Sequence, residues 1–459
     1  MSGPASPRRL ARIVVDFTPL VAGGANGGAK PMTMELVHRM ARVAPDVSFV
    51  LLATPAGYDE LALLEGPNMT RLRVADERPT ARLAVPGPAP ARLSASAQPV
   101  RLRRQIYRAL AARLPPPAIY RIDRAYAAIS RLQHRLESLA AKPLAAALGA
   151  DTLFCPFTAP YFHLPGLPTI SLVHDVQYRL YPRFFSSAER AERDRDFMRA
   201  VRQADRLTCT SQFVRQTIIQ TGVVAPERVV AIHPRLSRRL IRHAVDGSDM
   251  LGRWHLEPDR FLVYPANFWP HKNHQLLLTA LGMQRAAQPD SGLKVVCTGE
   301  RNRYFEGISA AADRMGLADR VVFPGFVEDD QLAALYASSL GIVFPSLYEG
   351  FGLPVLEAMA FGKPVLCSRA TSLPEVAGDA ALFFDPRSPR ELCDAMTRLL
   401  TEPGLGERMA RAGVSHVASL GNADDAARDY LNLFAGTSSR TGLRRRAAPG
   451  LPPRLGRSA

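Results

Sequence analysis

Two glutamates, Glu349 and Glu357, are separated by seven residues in the stretch Glu349-Gly-Phe-Gly-Leu-Pro-Val-Leu-Glu357. Carboxylates accept hydrogen bonds well from sugar hydroxyls, and Gly350 and Gly352 between them let a ligand approach the backbone closely. The flanking residues predict a strand ending at Phe344, this glycine loop, then a helix that opens near Pro354. Gly362 is placed to cap that helix and Pro364 to prevent its continuation. A helix N-terminus behind a glycine loop presents free N–H groups carrying partial positive charge, a ready site for a diphosphate. Glu357, expected in the first helical turn, by itself suits simple compensation of the helix dipole. Taken with Glu349, the two glycines and the helix start, it completes a ligand site.

The elements that must position these residues read as two alternating α/β series. The first begins with the buried strand Arg12–Asp16, a loop Gly23–Gly28, a helix through Met34, Val37 and Met40, and a strand over Val47–Leu52. That is a β-loop-α-β unit of the kind that builds parallel sheets. The loop, with Gly24, Gly27 and Gly28, departs from the G-x-G-x-x-G spacing of a dinucleotide fingerprint. Strands are expected again at 152–155, 169–173 and 206–210, with a charged helix over 187–204. Residues 243–260 are largely polar and suggest a linker. A second series follows, with strands at 261–264, 293–298, 320–323, 341–344 and 365–367. The economical reading is two α/β domains, 1–245 and 246–435, followed by a tail at 436–459.

The chain of 459 residues carries a formal net charge of +16, and counting along it localises that charge. Residues 78–142 hold 13 Arg/Lys against Asp123 and Glu137, and residues 440–457 hold six arginines and no acid. The rest is one negative charge from neutral. Two basic attachments on a neutral body imply a polyanionic partner: an anionic membrane surface, nucleic acid or an acidic protein. Within 78–142, stretches 101–114 and 119–139 have apolar residues at helical spacing opposite arginines, which suits a membrane surface. Nucleic-acid binding would interleave aromatics with the arginines as stacking platforms, and the tyrosines at 107, 120 and 126 follow no such module. The five cysteines form no C-x-x-C pair, so neither a disulfide framework nor a zinc site is expected, and reduced thiols fit a cytosolic compartment. Residues 152–173 are uncharged, but Pro156, Pro160, Pro165 and Pro168 break them too often for a membrane-crossing helix. Any membrane contact is expected to be peripheral. Asp194-Arg-Asp196 matches a D-x-D metal motif formally, yet it lies in a charge-dense helical stretch and reads as a solvated face. No metal is expected.

The motif Glu-Gly-Phe-Gly-Leu-Pro-x-x-Glu-Ala-x-Ala-x-Gly-x-Pro-Val over Glu349–Val365 resembles the signature of retaining GT-B glycosyltransferases of family 4. The similarity extends to Phe268-Trp-Pro-His-Lys-Asn-His274, Gly325-Phe-Val327, Thr371-Ser-Leu-Pro-Glu-Val-Ala-Gly378 and Phe384-Asp-Pro386. It is strongest over residues 260–435 and looser over 12–55 and 150–235. The resemblance implies the GT-B fold: two Rossmann-like domains whose parallel sheets face each other across a cleft. It also implies roles. Glu349 would face the donor sugar near the reacting centre, and Glu357 would hold the nucleotide ribose. The backbone of Gly350, Phe351, Gly352 and Leu353 would contact sugar and diphosphate. Lys272 would neutralise the diphosphate, and Val327 would lie near the base. Many members carry an arginine five or six residues before that lysine; Ala266 and Asn267 stand here, which shifts phosphate binding onto Lys272 and the helix N-terminus. His174, after the strand ending at Val173, would face the donor sugar, with the Gly24, Gly27 and Gly28 loop closing on donor and acceptor.

The resemblance implies transfer of a sugar, with retention, from a GDP- or UDP-linked donor to a glycan or lipid-linked acceptor, without a metal or other cofactor. GDP-mannose is the favoured donor, because Trp-Pro-His-Lys-Asn-His is similar to mannosyltransferases of surface polysaccharide assembly. The competing readings are a sugar-nucleotide epimerase of the same architecture, disfavoured by the paired glutamates, and a non-catalytic scaffold or polyanion-binding protein using the basic segments. Nucleic acid is not an expected partner, and peripheral docking at the inner face of a membrane is.

Overall fold

The computed structural model describes residues 10–20, 28–74, 148–163, 166–236 and 247–444, except for the side chains of 439–444. Gly24, Gly27, the basic stretch 78–142 with its two expected helices, and the tail beyond 444 lie outside the described residues. By packing, the chain divides into two compact units: Met1–Leu172 with Arg199–Arg206 and Leu431–Ala459, and Val173–Met198 with Leu207–Tyr430.

Thirteen described strands form two sheets. The first contains β1 (Arg12–Asp16), β2 (Ser48–Ala53), β3 (Met69–Arg73), β4 (Thr152–Cys155), β5 (Thr169–Val173), β6 (Arg206–Cys209) and β7 (Val229–Ala231), in the order β3-β2-β1-β4-β5-β6-β7. The second contains β8 (Phe261–Pro265), β9 (Lys294–Thr298), β10 (Val321–Gly325), β11 (Gly341–Phe344), β12 (Val365–Ser368) and β13 (Leu382–Phe384), in the order β10-β9-β8-β11-β12-β13. Each is a parallel, doubly wound sheet whose order reverses beside its first strand, so each has a switch point, between β1 and β4 or between β8 and β11. Central strands such as Ile13-Val-Val15 and Gly341-Ile-Val-Phe344 are buried on both faces, which is why they read as continuous apolar runs instead of alternating ones.

The principal helices are α1 (Ala29–Val43), α2 (Ser187–Gln203), α3 (Gln212–Gln220), α4 (His274–Ala287), α5 (Phe305–Arg314), α6 (Asp329–Ser338), α7 (Leu353–Ala360), α8 (Leu373–Ala377), α9 (Pro389–Thr401), α10 (Leu405–Ser419) and α11 (Ala423–Arg444). In the first unit, α11 is fixed to β4 by the Thr152–Ser438 hydroxyl pair at 2.8 Å and by Phe434 against Phe154, ring centroids 5.3 Å apart. All five cysteines are buried free thiols, in keeping with the unpaired spacing.

The expected linker is partly a packed element. Residues 248–253 form a short helix, and Met250, Leu251 and Leu256 join the core of the second unit. Polar side chains at 246–249 suggested solvent exposure, but the apolar residues that follow decide the segment. Among the described residues, no helix is long and apolar enough to cross a membrane.

Candidate functional site

The site is built where β8 and β11 end side by side, at the switch point of the second sheet. After β8 a short turn, Pro270–Lys272, leads into α4 through Asn273, whose left-handed backbone (φ 61°) is one that asparagine tolerates. The Asn273 amide donates to the carbonyls of Pro345 (3.0 Å) and Pro386 (2.9 Å), and the Leu347 N–H donates to the His271 carbonyl at 2.8 Å. The buried Tyr264 hydroxyl donates to the Lys272 carbonyl at 2.6 Å. These bonds hold the β8–α4 turn against the loop after β11.

The result is an ion pair. Lys272 Nζ lies 2.7 Å from Glu349 Oε1, and the two side chains are only 17% and 11% exposed. The ammonium also stands 5.6 Å from the centroid of the Phe344 ring. Close contact and partial burial make this a strong charge-assisted hydrogen bond. The neighbouring histidines are neutral. Burial first, and the Lys272 charge second, push the His271 ring down to about 2 and that of His274 down to about 3. His274 lies between the rings of Tyr264 and Phe268, each centroid 4.8 Å away.

The loop Glu349–Leu353 is held almost entirely by hydroxyls. Thr371 Oγ1 accepts from the Glu349 N–H at 3.0 Å. Ser372 Oγ reaches the carbonyls of Glu349 (3.0 Å) and Phe351 (2.9 Å). The Gly350 carbonyl accepts from Thr210 Oγ1 at 2.9 Å and Ser211 Oγ at 2.8 Å. A Cβ on Gly350 would stand 2.5 Å from the His174 carbonyl oxygen, so only glycine fits there. Gly352, at φ 107°, turns the chain into α7. The helix closes with Gly362 N–H on the Met359 carbonyl and Lys363 N–H on the Ala358 carbonyl, both 3.0 Å, the double bond pattern of a Schellman cap.

Glu375, on α8, receives the N–H groups of Gln212 (2.6 Å) and Phe213 (3.0 Å) at the start of α3, and its Oε1 lies 2.6 Å from His233 Nε2. Burial alone would raise this carboxyl, but the bonds from His233 and the two amides outweigh it and hold it below its usual value. The His233 ring in turn lies 5.8 Å from that of Phe351, on the glycine loop.

The structure thus brings Lys272, Glu349, Gly350, Phe351 and Gly352 together, with the His174 backbone against Gly350. Leu353 is the first residue of α7. Glu357 is its fifth, past the first turn where the sequence had suggested it; it is half-buried, and the Tyr336 hydroxyl lies 3.4 Å from its Oε2. Val327 is buried just beyond the end of β10, the edge strand three places from β11 in the sheet order. Gly28 precedes α1 in the first unit. Asn267, where an arginine was looked for, accepts from the Glu300 N–H at 2.8 Å and braces the end of β9. Asp194 lies on α2, engaged by the Tyr178 hydroxyl at 3.0 Å and by the Arg179 guanidinium, beside an exposed Arg195. Among the described residues, no group of three or more His, Cys, Asp or Glu side chains is arranged to hold a metal ion. Sequence reasoning missed Thr210, Ser211, Thr371, Ser372, His233 and Glu375 as site-building residues. Three of them fall inside the Thr371–Gly378 motif, the one signal available for them.

Beside the loop, an open cavity of about 290 Å³ is lined by Tyr181, Arg369, Thr371, Asp385 and Arg387, with both arginines exposed.

Residues 254–416 match the family Glycosyl transferases group 1. Over 203 residues, 44% of this chain and 25% of the relative, the chain is 33% identical to the serotype-specific mannosyltransferase WbdA of Escherichia coli. Over 233 residues, 50% of this chain and 61% of the relative, it is 29% identical to the O-antigen chain mannosyltransferase B of Escherichia coli. The chain therefore spans between a quarter and about three fifths of the length of these curated relatives. Among solved structures, HepE of Anabaena in complex with UDP and glucose superposes with a TM-score of 0.62 at 16% identity, covering 93% of this chain and 100% of that one. The two parallel sheets are those of the GT-B fold, as the motifs imply. Lys272, Glu349 and Glu357 all lie within the residues that match the Glycosyl transferases group 1 family.

Proposed function

We propose that this chain is a retaining glycosyltransferase that moves a sugar, mannose in our reading, from a nucleoside diphosphate to a hydroxyl of a glycan or lipid-linked acceptor. The observation that carries the proposal is the Lys272–Glu349 contact of 2.7 Å beside the N-terminus of α7. Lys272 and the positive end of the α7 dipole supply positive charge where the diphosphate departs, so no metal ion is required for that role. Glu349 holds the donor sugar, Glu357 the ribose, and Val327 lies near the base. His174 and the Gly24, Gly27 and Gly28 loop act from the N-terminal side. In the transfer, the bond from the anomeric carbon to the phosphate oxygen breaks and one to the acceptor oxygen forms on the same face. The acceptor proton passes to the departing phosphate, so no separate strong base is needed. Positioning of the two substrates supplies much of the acceleration.

In this reading, residues 1–245 serve the acceptor, 246–435 the donor, and the basic stretches 78–142 and 440–457 dock on an anionic membrane surface. The two mannosyltransferases to which the chain is similar support mannose. The test is release of nucleoside diphosphate from a panel of GDP-mannose, UDP-glucose and UDP-N-acetylglucosamine. GDP-mannose is expected to turn over fastest; a faster UDP sugar would correct the donor, and turnover of none would overturn the enzyme reading. Pelleting with anionic vesicles checks the membrane reading: chains lacking 78–142 or 440–459 should bind less, and undiminished binding by both refutes it.

A further inference from the structure

Thr371 has a backbone φ of 54°, a left-handed conformation that a β-branched residue rarely adopts. Strain of this kind persists where the surroundings over-determine it, and it clusters at functional sites. Here the strained residue directs its hydroxyl at the N–H of Glu349, 3.0 Å away. The next residue, Ser372, is fully buried and shares its hydroxyl between the carbonyls of Glu349 and Phe351. Three residues further on, Glu375 anchors the same segment to the start of α3 and to His233. Glu349 is thereby gripped by neighbouring hydroxyls on its N–H and its C=O, while its carboxylate meets Lys272. A left-handed residue is what turns two consecutive hydroxyls toward the two backbone groups of one glutamate.

We infer that Thr371 and Ser372 are positioning residues for Glu349, fixing the direction of its carboxylate through its backbone. The inference rests on the functional reading above. A misplacement of about 1 Å at a reacting centre costs on the order of 100-fold in rate, so loss of either hydroxyl should lower kcat far more than it changes KM.

The test compares Thr371→Val, which keeps shape and branching but loses the hydroxyl, with Thr371→Ser, which keeps the hydroxyl. Ser372→Ala is measured beside them in the full chain. Turnover of the best donor, thermal melting, and amide exchange of the peptide containing Glu349 are read for each. The expected result is kcat lower by about 10- to 100-fold for Thr371→Val and Ser372→Ala, with melting still cooperative though lowered by the unsatisfied backbone groups, and recovery of turnover in Thr371→Ser. Exchange at Glu349 should rise about tenfold in Thr371→Val and stay low in Thr371→Ser. Wild-type turnover by Thr371→Val, or equal losses in the valine and serine variants, would overturn the inference. If wild type consumes no sugar nucleotide, the functional reading falls, and the exchange comparison still decides whether the hydroxyl holds Glu349.

Discussion

At the scale of single residues, the Lys272–Glu349 pair concentrates both the chemistry and the risk. With side chains 17% and 11% exposed, neither charge is well hydrated, and each is offset chiefly by the other. Removing one partner strands the second, and for a fully buried pair this costs about 3–5 kcal/mol; residual solvent contact reduces it here to roughly 1–3 kcal/mol. Lys272→Met is therefore expected to lower stability by that amount in a denaturant melt. The double variant Lys272→Met with Glu349→Gln should recover much of the loss, because no charge is then left unpaired. Additive losses would show that the two side chains do not depend on each other. Glu349, Glu357, Gly350 and Gly352 stood out by residue type and spacing, and Lys272 only through the resemblance to the glycosyltransferase motif. Thr371 and Ser372 were not, because nothing in a Thr-Ser dipeptide announces a positive φ or says which backbone groups its hydroxyls meet.

The element that presents the loop is α7, and its ends were readable for a physical reason: glycine and proline have few alternative uses. Gly352 enters the helix at φ 107°, Pro354 tolerates its missing N–H in the first turn, and Gly362 at φ 65° closes the cap. Glu357 falls past the first turn because the helix begins at Leu353, one residue before the proline. Likewise, the apolar residues of 250–256 pack into the core although polar residues precede them. The cap makes a separable prediction. Gly362→Ala should cost about 1 kcal/mol by forcing a Cβ into left-handed backbone. Leu353, at the other end of the helix, lies nine residues before Gly362, so donor turnover at saturating substrate should be unchanged. A stability loss with an equal loss of turnover would mean that the C-terminal cap, and not only the N-terminus, governs the site.

For the whole molecule, pH is the lever most directly tied to this architecture. His271 and His274 are neutral in the folded chain, titrating at about 2 and about 3 against an ordinary 6.5, because burial and Lys272 oppose their charged forms. The unfolded chain binds these protons and the folded chain does not. Their contribution to stability is thus complete above pH about 6.5 and falls as pH drops toward 3, by at most about 1.4 kcal/mol per pH unit for each histidine. His274→Phe, which preserves the packing between Tyr264 and Phe268, should flatten the stability slope between pH 6 and 4 by about one proton; an unaltered slope would contradict this. The central strands of both sheets were legible because buried parallel strands are continuous apolar runs, but β3, β7 and β13 were not; the contacts that orient the glycine loop reach from 22 positions, Thr371 to Glu349, up to 140, Thr210 to Gly350. The central claim is that Glu349 works at the reacting centre and is not only a structural ion-pair partner. The most direct measurement is turnover of the best donor by Glu349→Gln beside its affinity for the matching nucleoside diphosphate. The account predicts affinity within about threefold of wild type and kcat lower by at least about 100-fold, the size expected when a transition-state contact is lost. Wild-type turnover by Glu349→Gln would contradict it.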